Sequence, residues 1–275
     1  MRSLCFIELL IYDSYYRLIY RTPFSTYRFS KVFKAIGLKG KLFNGFAFIV
    51  FKKEVLNMDQ EELIRKYGID IEKLEKEQLE LAKKLDIKDK IDFSLADKFG
   101  AFFTSFVKNK ILSCIIVCDK DFEVVDRAYA FETAHFPYLA GFRAYRELPA
   151  MMLAFNKLNE KPDIVFVPGM GIAHLRLGLA SHFSLSADVP SIGVSNSIFG
   201  CDEKIEDIVK DGKKIGKKLI TRPGSRPLYI SPGNQVNIDT SYSLCKSFIR
   251  LPHKIPEPMH LARKYGREVE KELKI

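Results

Sequence analysis

The sequence lacks any continuous apolar run of the roughly 18–20 residues that a membrane-spanning helix needs. Its first residues also lack the continuous apolar core and the small-residue cleavage site of a signal peptide. The five cysteines are odd in number and scattered, and only Cys114 and Cys118 lie close together, within an apolar run. Without a second matching pair, we favour buried, reduced thiols over a metal site for these two. Together these absences predict a cytoplasmic protein with no membrane-embedded part.

Positive charge is unevenly distributed along the chain. Of the formal charge of +10, residues 1–57 carry +7, from ten Lys or Arg against three acids, which leaves +3 for residues 58–275. The first segment is rich in Tyr and Phe and has no clear amphipathic periodicity. Just after Met58, Asp59 and Glu62 form a capping-box-like helix start. We therefore predict one main domain over 58–275, preceded by a wrongly assigned start or a poorly ordered extension. A basic nucleic-acid-binding arm is the alternative for residues 1–57.

The main domain alternates helical and strand-like patterns. Apolar residues from Ile71 to Leu85 recur at helical spacing. Three strand-like runs separated by polar turns then predict an antiparallel meander, which is followed by helices that alternate with short, fully apolar strands. The predicted strands are Phe99–Phe106, Ile111–Cys118, Val124–Glu132, Ile164–Val167 and Ser191–Ser195, and the predicted helices run from Gly141 to before Lys161 and from Ile172 to about Phe183. This order predicts an α/β fold, with a mixed sheet and helices on both of its faces.

The most informative stretch runs from Phe136 to His182. It opens on an aromatic, glycine-hinged turn, Phe136-Pro137-Tyr138-Leu139-Ala140-Gly141, which leads into a helix that carries Arg146-Glu147. The apolar strand that follows ends in Pro168-Gly169-Met170-Gly171. Turns at the carboxyl end of a strand are where open α/β sheets usually bind ligands, so we expect the functional site here.

This stretch resembles the endonuclease V family, and the resemblance extends over roughly residues 58–265. Three later segments share it: Pro190-Ser191-Ile192-Gly193-Val194, Tyr229-Ile230-Ser231-Pro232-Gly233 and Ile255-Pro256-Glu257-Pro258. The resemblance implies a ribonuclease H-like fold. It also implies a DNA-repair nuclease that cuts a phosphodiester near a deaminated base, inosine above all, in DNA or RNA. Such an enzyme uses Mg²⁺ held by converging carboxylates. The family pattern supplies an aspartate on the first strand, a glutamate after the aromatic turn and an aspartate after the next core strand.

Only one of these three carboxylates is present. Glu147 matches the glutamate, whereas Phe102 and Pro168 stand at the two aspartate positions. Asp97 and Asp163 each precede a lost aspartate by five residues. At about 3.3 Å per residue, that offset places each carboxylate roughly 16 Å away on the opposite face of its strand, so neither restores the site. Glu147 is therefore at most a residual metal ligand.

The groups that would bind nucleic acid are retained. The resemblance implies that Pro137-Tyr138-Leu139 is a wedge whose tyrosine stacks where the base was, an interaction worth about 1–3 kcal/mol. It also implies a pocket for the extruded base around Gly169 and Gly171. His174, near the start of a predicted helix, is a candidate phosphate contact. Each group has a structural alternative: a surface tyrosine that closes a turn, ordinary turn glycines, and a hydrogen-bonded histidine.

We therefore expect a monomeric endonuclease V-family pseudoenzyme that binds DNA or RNA, deaminated sites in particular, and has lost most or all cleavage. Asn196 and Asn234 support this expectation, because they stand where the family pattern has a lysine and a histidine. The alternative is an active, divergent endonuclease that uses Glu147 and takes Mg²⁺ as its cofactor; the non-catalytic form needs none. Glu147 also has a structural interpretation, as a helix carboxylate paired with Arg143 or Arg146.

Overall fold

The structure is a computed structural model, and it describes residues 60–275. The predictions for residues 1–57 and for the helix start at Asp59 lie outside the described residues. Met58–Ile275 forms one compact unit. None of the helices within residues 60–275 is both long enough and apolar enough to cross a bilayer.

A mixed sheet of nine strands forms the centre of this unit. The strands are β1 Phe99–Val107, β2 Lys110–Cys118, β3 Val124–Thr133, β4 Ile164–Val167, β5 Ser191–Ser195, β6 Asp202–Glu203, β7 Asp207–Lys210, β8 Lys213–Leu219 and β9 Leu228–Asn234. They lie in the order β3-β2-β1-β4-β5-β9-β8-β7-β6. Strand β4 is parallel to β1 and β5, and the other ladders are antiparallel. All the strands predicted from the sequence are confirmed, with ends that move by about one residue.

Helices cover both faces of the sheet, as predicted. The helices are α1 Ile71–Ala82, α2 Arg143–Asn156, α3 Leu179–Ala187, α4 Ile238–Ser247 and α5 Glu257–Glu272, and residues 60–67 are helical as well. Because side chains alternate along a strand, β4 sends Phe166 into the core under α4 and α5 and Val165 into the core under α2 and α3. The carboxyl end of β4 therefore lies between two well-packed layers.

The thiols of Cys114 and Cys118 are buried and free on β2, as the sequence predicted. Burial raises the pKa of each to about 12, so both are protonated at neutral pH. They are part of the core, and a thiolate metal site at this position is not supported.

The helix predicted from Ile172 begins at Leu179 instead, and residues 168–178 are irregular. Gly171 packs so tightly on β9 that a Cβ placed on it would lie 1.8 Å from the carbonyl oxygen of Pro232. The backbone N–H of Ile172 donates to the same oxygen at 2.8 Å. These contacts anchor the turn to β9, and a helix that started at Ile172 would have to give them up.

Candidate functional site

Glu147 lies on α2 with only 1% of its side chain exposed. Arg143, one helical turn earlier, donates from Nε to Oε1 and from Nη2 to Oε2, the latter at 2.9 Å. The hydroxyl of Thr104 on β1 donates to Oε2 at 3.1 Å. Both carboxylate oxygens therefore accept hydrogen bonds from protein donors, and the guanidinium fork compensates the buried negative charge.

Phe102 occupies the first expected aspartate position as a core residue. Its side chain is 1% exposed and lies edge-on to Phe183 of α3, with 5.0 Å between ring centroids. Thr104, two residues further along β1, faces the same side of the sheet and for that reason reaches Glu147. Pro168, at the second aspartate position, directly follows β4 and is half-buried.

The residues present do not fit a divalent metal ion at this position. Within residues 60–275, no group of three His, Cys, Asp or Glu donors includes Glu147. Asp163 directly precedes β4. Its carboxylate accepts hydrogen bonds from the backbone N–H groups of Asp97 and Lys98, at 2.8 and 2.9 Å. Asp97 is ion-paired with Lys120 at 2.7 Å. Mg²⁺ in proteins is usually held by one or two carboxylates together with water and phosphate oxygens, and Glu147, the one expected carboxylate present, already accepts from a guanidinium.

A cavity of about 200 Å³ opens beside the aromatic turn. It is bounded by that turn, the start of α2, the irregular segment after β4 and the residues that follow β5. Arg143, with its side chain 38% exposed, is part of the lining, so its guanidinium is close both to Glu147 and to the cavity. The site thus combines apolar and polar lining residues with a guanidinium that is ion-paired to Glu147.

The aromatic turn exposes one ring between two buried residues. Pro137 and Leu139 are buried, and Tyr138 between them is 56% exposed at the rim of the cavity. Gly141 closes the turn with a φ of +82°, a conformation that favours glycine. An exposed ring held between two anchored residues is suited to stacking on a base.

His174 lies in the cavity wall and is 7% exposed. Its Nδ1 accepts the backbone N–H of Arg176 at 3.1 Å, and its ring centroid is 5.3 Å from that of Phe199. Burial, reinforced by the positive charges of Arg176 and Lys210 and by His182, lowers the pKa of His174 to about 4. A neutral imidazole can form a hydrogen bond to a phosphate, but it brings no positive charge to it.

Gly169 and Gly171 pack against the protein itself. A Cβ on Gly169 would lie 3.2 Å from Leu179, and Gly171 packs on the backbone of β9. The N–H of Gly171 donates to Ser231 Oγ at 2.9 Å. Met170, between the two glycines, is the residue of the turn that lines the cavity. Gly171 therefore lets the turn approach β9, and Gly169 lets it approach α3.

Two residues that support the site were not identified from the sequence. Gln78 of α1 is fully buried; its Nε2 donates to the carbonyl oxygen of Gly141 at 3.0 Å, and its Oε1 accepts from Arg176 Nε at 2.6 Å. Arg176 also donates to Glu75 at 2.7 Å. A signal was available, because Gln78 lies four residues after Leu74 on the otherwise apolar face of the predicted helix.

Solved structures with the same fold come from the endonuclease V family. The Bacillus subtilis endonuclease V superposes with a TM-score of 0.68 and 25% identity, over 76% of this chain and 95% of that one. The catalytic domain of human endonuclease V gives a TM-score of 0.67 and 26% identity, over 74% and 99%. The mixed sheet with helices on both faces is thus a ribonuclease H-like α/β fold, as predicted.

Sequence comparison identifies the family. The endonuclease V family model matches residues 79–264. The endonuclease V of Thermosipho melanesiensis is 38% identical over 177 residues, which is 61% of this chain and 78% of that protein. That of Dictyoglomus turgidum is 34% identical over 202 residues, 70% and 87% of the two chains. The chain belongs to the endonuclease V family.

Proposed function

We propose that this protein binds nucleic acid at deaminated sites, inosine above all, and does not cleave it. The observation that carries the proposal is the state of Glu147. Both of its oxygens accept from Arg143 and Thr104, and Phe102 and Pro168 stand in place of the other two carboxylates. A metal-dependent cut requires ligands that this arrangement does not offer.

The geometry beside Glu147 supports binding. Tyr138 is exposed at the rim of a cavity of about 200 Å³. That volume is below the roughly 300–1,000 Å³ typical of drug-sized ligands, so a single extruded base suits it better than a larger molecule. Flipping a base costs a few kcal/mol, and stacking on tyrosine returns about 1–3 kcal/mol. An endonuclease V of Ciona intestinalis, with 22% identity and a TM-score of 0.66, was solved in complex with a 23-mer DNA containing an inosine.

Arg143 brings a guanidinium, ion-paired with Glu147, to the wall of the cavity. Its guanidinium is permanently protonated, and it contacts both Glu147 and the cavity. Phosphate contacts from Arg and Lys make binding depend on salt. We therefore expect binding that persists in EDTA and weakens as salt is raised, by a monomer that acts in the cytoplasm.

The test compares an inosine-containing single strand with the same strand carrying adenosine, as DNA and as RNA. Fluorescence anisotropy in EDTA measures binding, and gel electrophoresis with Mg²⁺ or Mn²⁺ measures cleavage. We expect preferential inosine binding without cleavage. Replacing Tyr138 with alanine should weaken binding by about 5- to 150-fold, the equivalent of one stacked base. Tyr67→Ala is the matched control, because Tyr67 is 50% exposed and lies outside the cavity.

Two outcomes decide against the proposal. Equal affinity for the inosine and adenosine strands would show that the protein has no specificity for deaminated bases. Metal-dependent cleavage that disappears in Glu147→Ala would instead identify an active, divergent endonuclease that uses Glu147.

A further inference from the structure

A second group of potential ligands lies outside the cavity, at the start of α5. His253, Glu257 and His260 each offer one donor atom, and these atoms lie within 4.8 Å of one another. Within residues 60–275, this is the place where three His, Cys, Asp or Glu donors come together in this way. None of the three residues lines the cavity described above.

The fold brings these side chains together by two local features. Glu257 and His260 are three residues apart on α5 and so share one face of the helix. His253 belongs to the short loop before α5, which is closed by a backbone bridge between Ile249 and Pro256. Within this loop the N–H of His253 donates to the carbonyl oxygen of Arg250 at 2.8 Å, which holds its backbone in place.

The side chains are already in contact. His253 Nδ1 lies 2.7 Å from Glu257 Oε2, and the rings of His253 and His260 stack with centroids 3.5 Å apart at an angle of 14°. A tetrahedral Zn²⁺ with bonds of about 2.0–2.1 Å places its ligand atoms roughly 3.4 Å apart. The donor atoms lie within 4.8 Å of one another, and coordination would require the imidazoles to turn out of their stack towards a common point.

We propose that His253, Glu257 and His260 form a binding site for a transition-metal ion of the Zn²⁺ class. Two imidazoles and one carboxylate are a known ligand set for Zn²⁺ with a fourth position open to water or another ligand. Imidazole donors suit Zn²⁺, Co²⁺ and Ni²⁺, whereas Mg²⁺ prefers oxygen.

A bound ion would join the loop to the first turn of α5. His253 would hold it from the loop, and Glu257 and His260 from the helix. Since the unfolded chain has no such preformed site, binding stabilises the folded state. A metal at 100 times its dissociation constant should raise the Tm by about 5–10 °C for a chain of this size.

The experiment uses the full chain without an affinity tag, stripped with EDTA and dialysed. Co²⁺ is titrated and followed by its visible absorption, Zn²⁺ is then added to displace it, and thermal unfolding is recorded with Zn²⁺ and with Mg²⁺. We expect one Co²⁺ per chain, displacement by Zn²⁺, and a rise in Tm with Zn²⁺ that Mg²⁺ does not reproduce.

Variants decide whether these residues hold the ion. His260→Ala leaves the contact between His253 and Glu257 intact and should weaken Co²⁺ binding by more than about 100-fold, since changes outside the ligand shell alone cost 10–100-fold. Glu257→Gln is the second variant, should His260→Ala fold poorly. The matched control is His135→Ala, because His135 is exposed and lies outside the group. The proposal would be overturned by absence of Co²⁺ binding or by equal affinity in His260→Ala and the parent. It would also be overturned if binding were lost in Cys201→Ser instead, since Cys201 is a partly buried free thiol that could bind Co²⁺ elsewhere.

Discussion

The guanidinium of Arg143 binds both oxygens of Glu147 from one helical turn away. The family resemblance implies a metal ion beside Glu147. Here the guanidinium of Arg143 compensates the negative charge of that carboxylate instead. A buried carboxylate without a partner is costly, and the cation that compensates it here belongs to the chain itself. Arg143 therefore both stabilises the fold and lines the cavity.

Replacing Arg143 with leucine should destabilise the protein. It leaves Glu147 buried with Thr104 as a remaining donor, and uncompensated buried charges cost about 3–5 kcal/mol. Because the side chain of Arg143 is 38% exposed, we expect a smaller loss, about 2–3 kcal/mol in the free energy of unfolding. Urea denaturation at neutral pH measures it.

The double variant Arg143→Leu/Glu147→Leu is the control for this prediction. It removes both charges and should recover much of the loss, since replacing a buried ion pair by apolar residues is often neutral. A double variant less stable than the single one would show that Glu147 has a favourable interaction beyond its pairing with Arg143.

Phe102 should behave as a core residue. Replacing it with alanine should cost about 3–5 kcal/mol, as large-to-small core substitutions do. Replacing it with aspartate, the residue that the family pattern implies, should cost more, because the carboxylate would face Phe183 with no metal to compensate it. Chemical denaturation of both variants, with and without Mg²⁺, makes the comparison. If Phe102→Asp is the more stable of the two in Mg²⁺, the site has kept its capacity for the ion.

Strands β1 to β5 were predictable because their apolar runs are bounded by polar turns or helices, whereas β6 to β9 were not among the predicted strands. The ends of β1, β2 and β3 follow from runs of apolar residues, and β4 and β5 from short buried segments between helices. The start of α3 was predicted wrongly for a physical reason. The irregular segment before Leu179 is held by contacts with β9, some sixty residues later in the chain, and periodicity carries no information about such contacts.

The candidate site was predictable only in part. The order of the motifs indicated the aromatic turn, Glu147 and the glycine turn. The sequence did not distinguish Arg143 from Arg146 as the partner of Glu147, because both residues are close to Glu147 on the same helix. The choice depends on packing, since Arg146 lies over the ring of Phe106 at 4.8 Å while Arg143 turns towards Glu147.

Stability should fall as the pH is lowered from about 6.5 to about 4. Burial lowers the pKa of His174 and of His182 to about 4 in the folded state, below the ordinary value of about 6.5. The unfolded chain therefore binds more protons in this window, and the contribution of each histidine is present above about pH 6.5 and is lost on acidification. Each contributes at most about 3 kcal/mol.

Urea denaturation at several pH values, with His174→Gln and His182→Gln as comparisons, measures this dependence. Each variant should flatten the fall in stability between about pH 6.5 and 4, because it removes one group that takes up a proton on unfolding. An unchanged slope in both variants would assign the acid sensitivity to the carboxylates.

Gln78 should matter for both stability and binding. Replacing it with leucine keeps the approximate size but leaves the carbonyl oxygen of Gly141 and one donor of Arg176 without their buried partner, at a cost of about 1–3 kcal/mol. Arg176 keeps Glu75, so the larger effect should fall on the aromatic turn that Gly141 closes. Hydrogen exchange of the amides around Tyr138 should accelerate, and inosine binding should weaken.

Glu80→Gln on the exposed face of α1 is the matched control, because it removes only a surface ion pair with Lys83. Loss of stability without faster exchange at the turn would show that α1 supports the domain in general and does not position Tyr138.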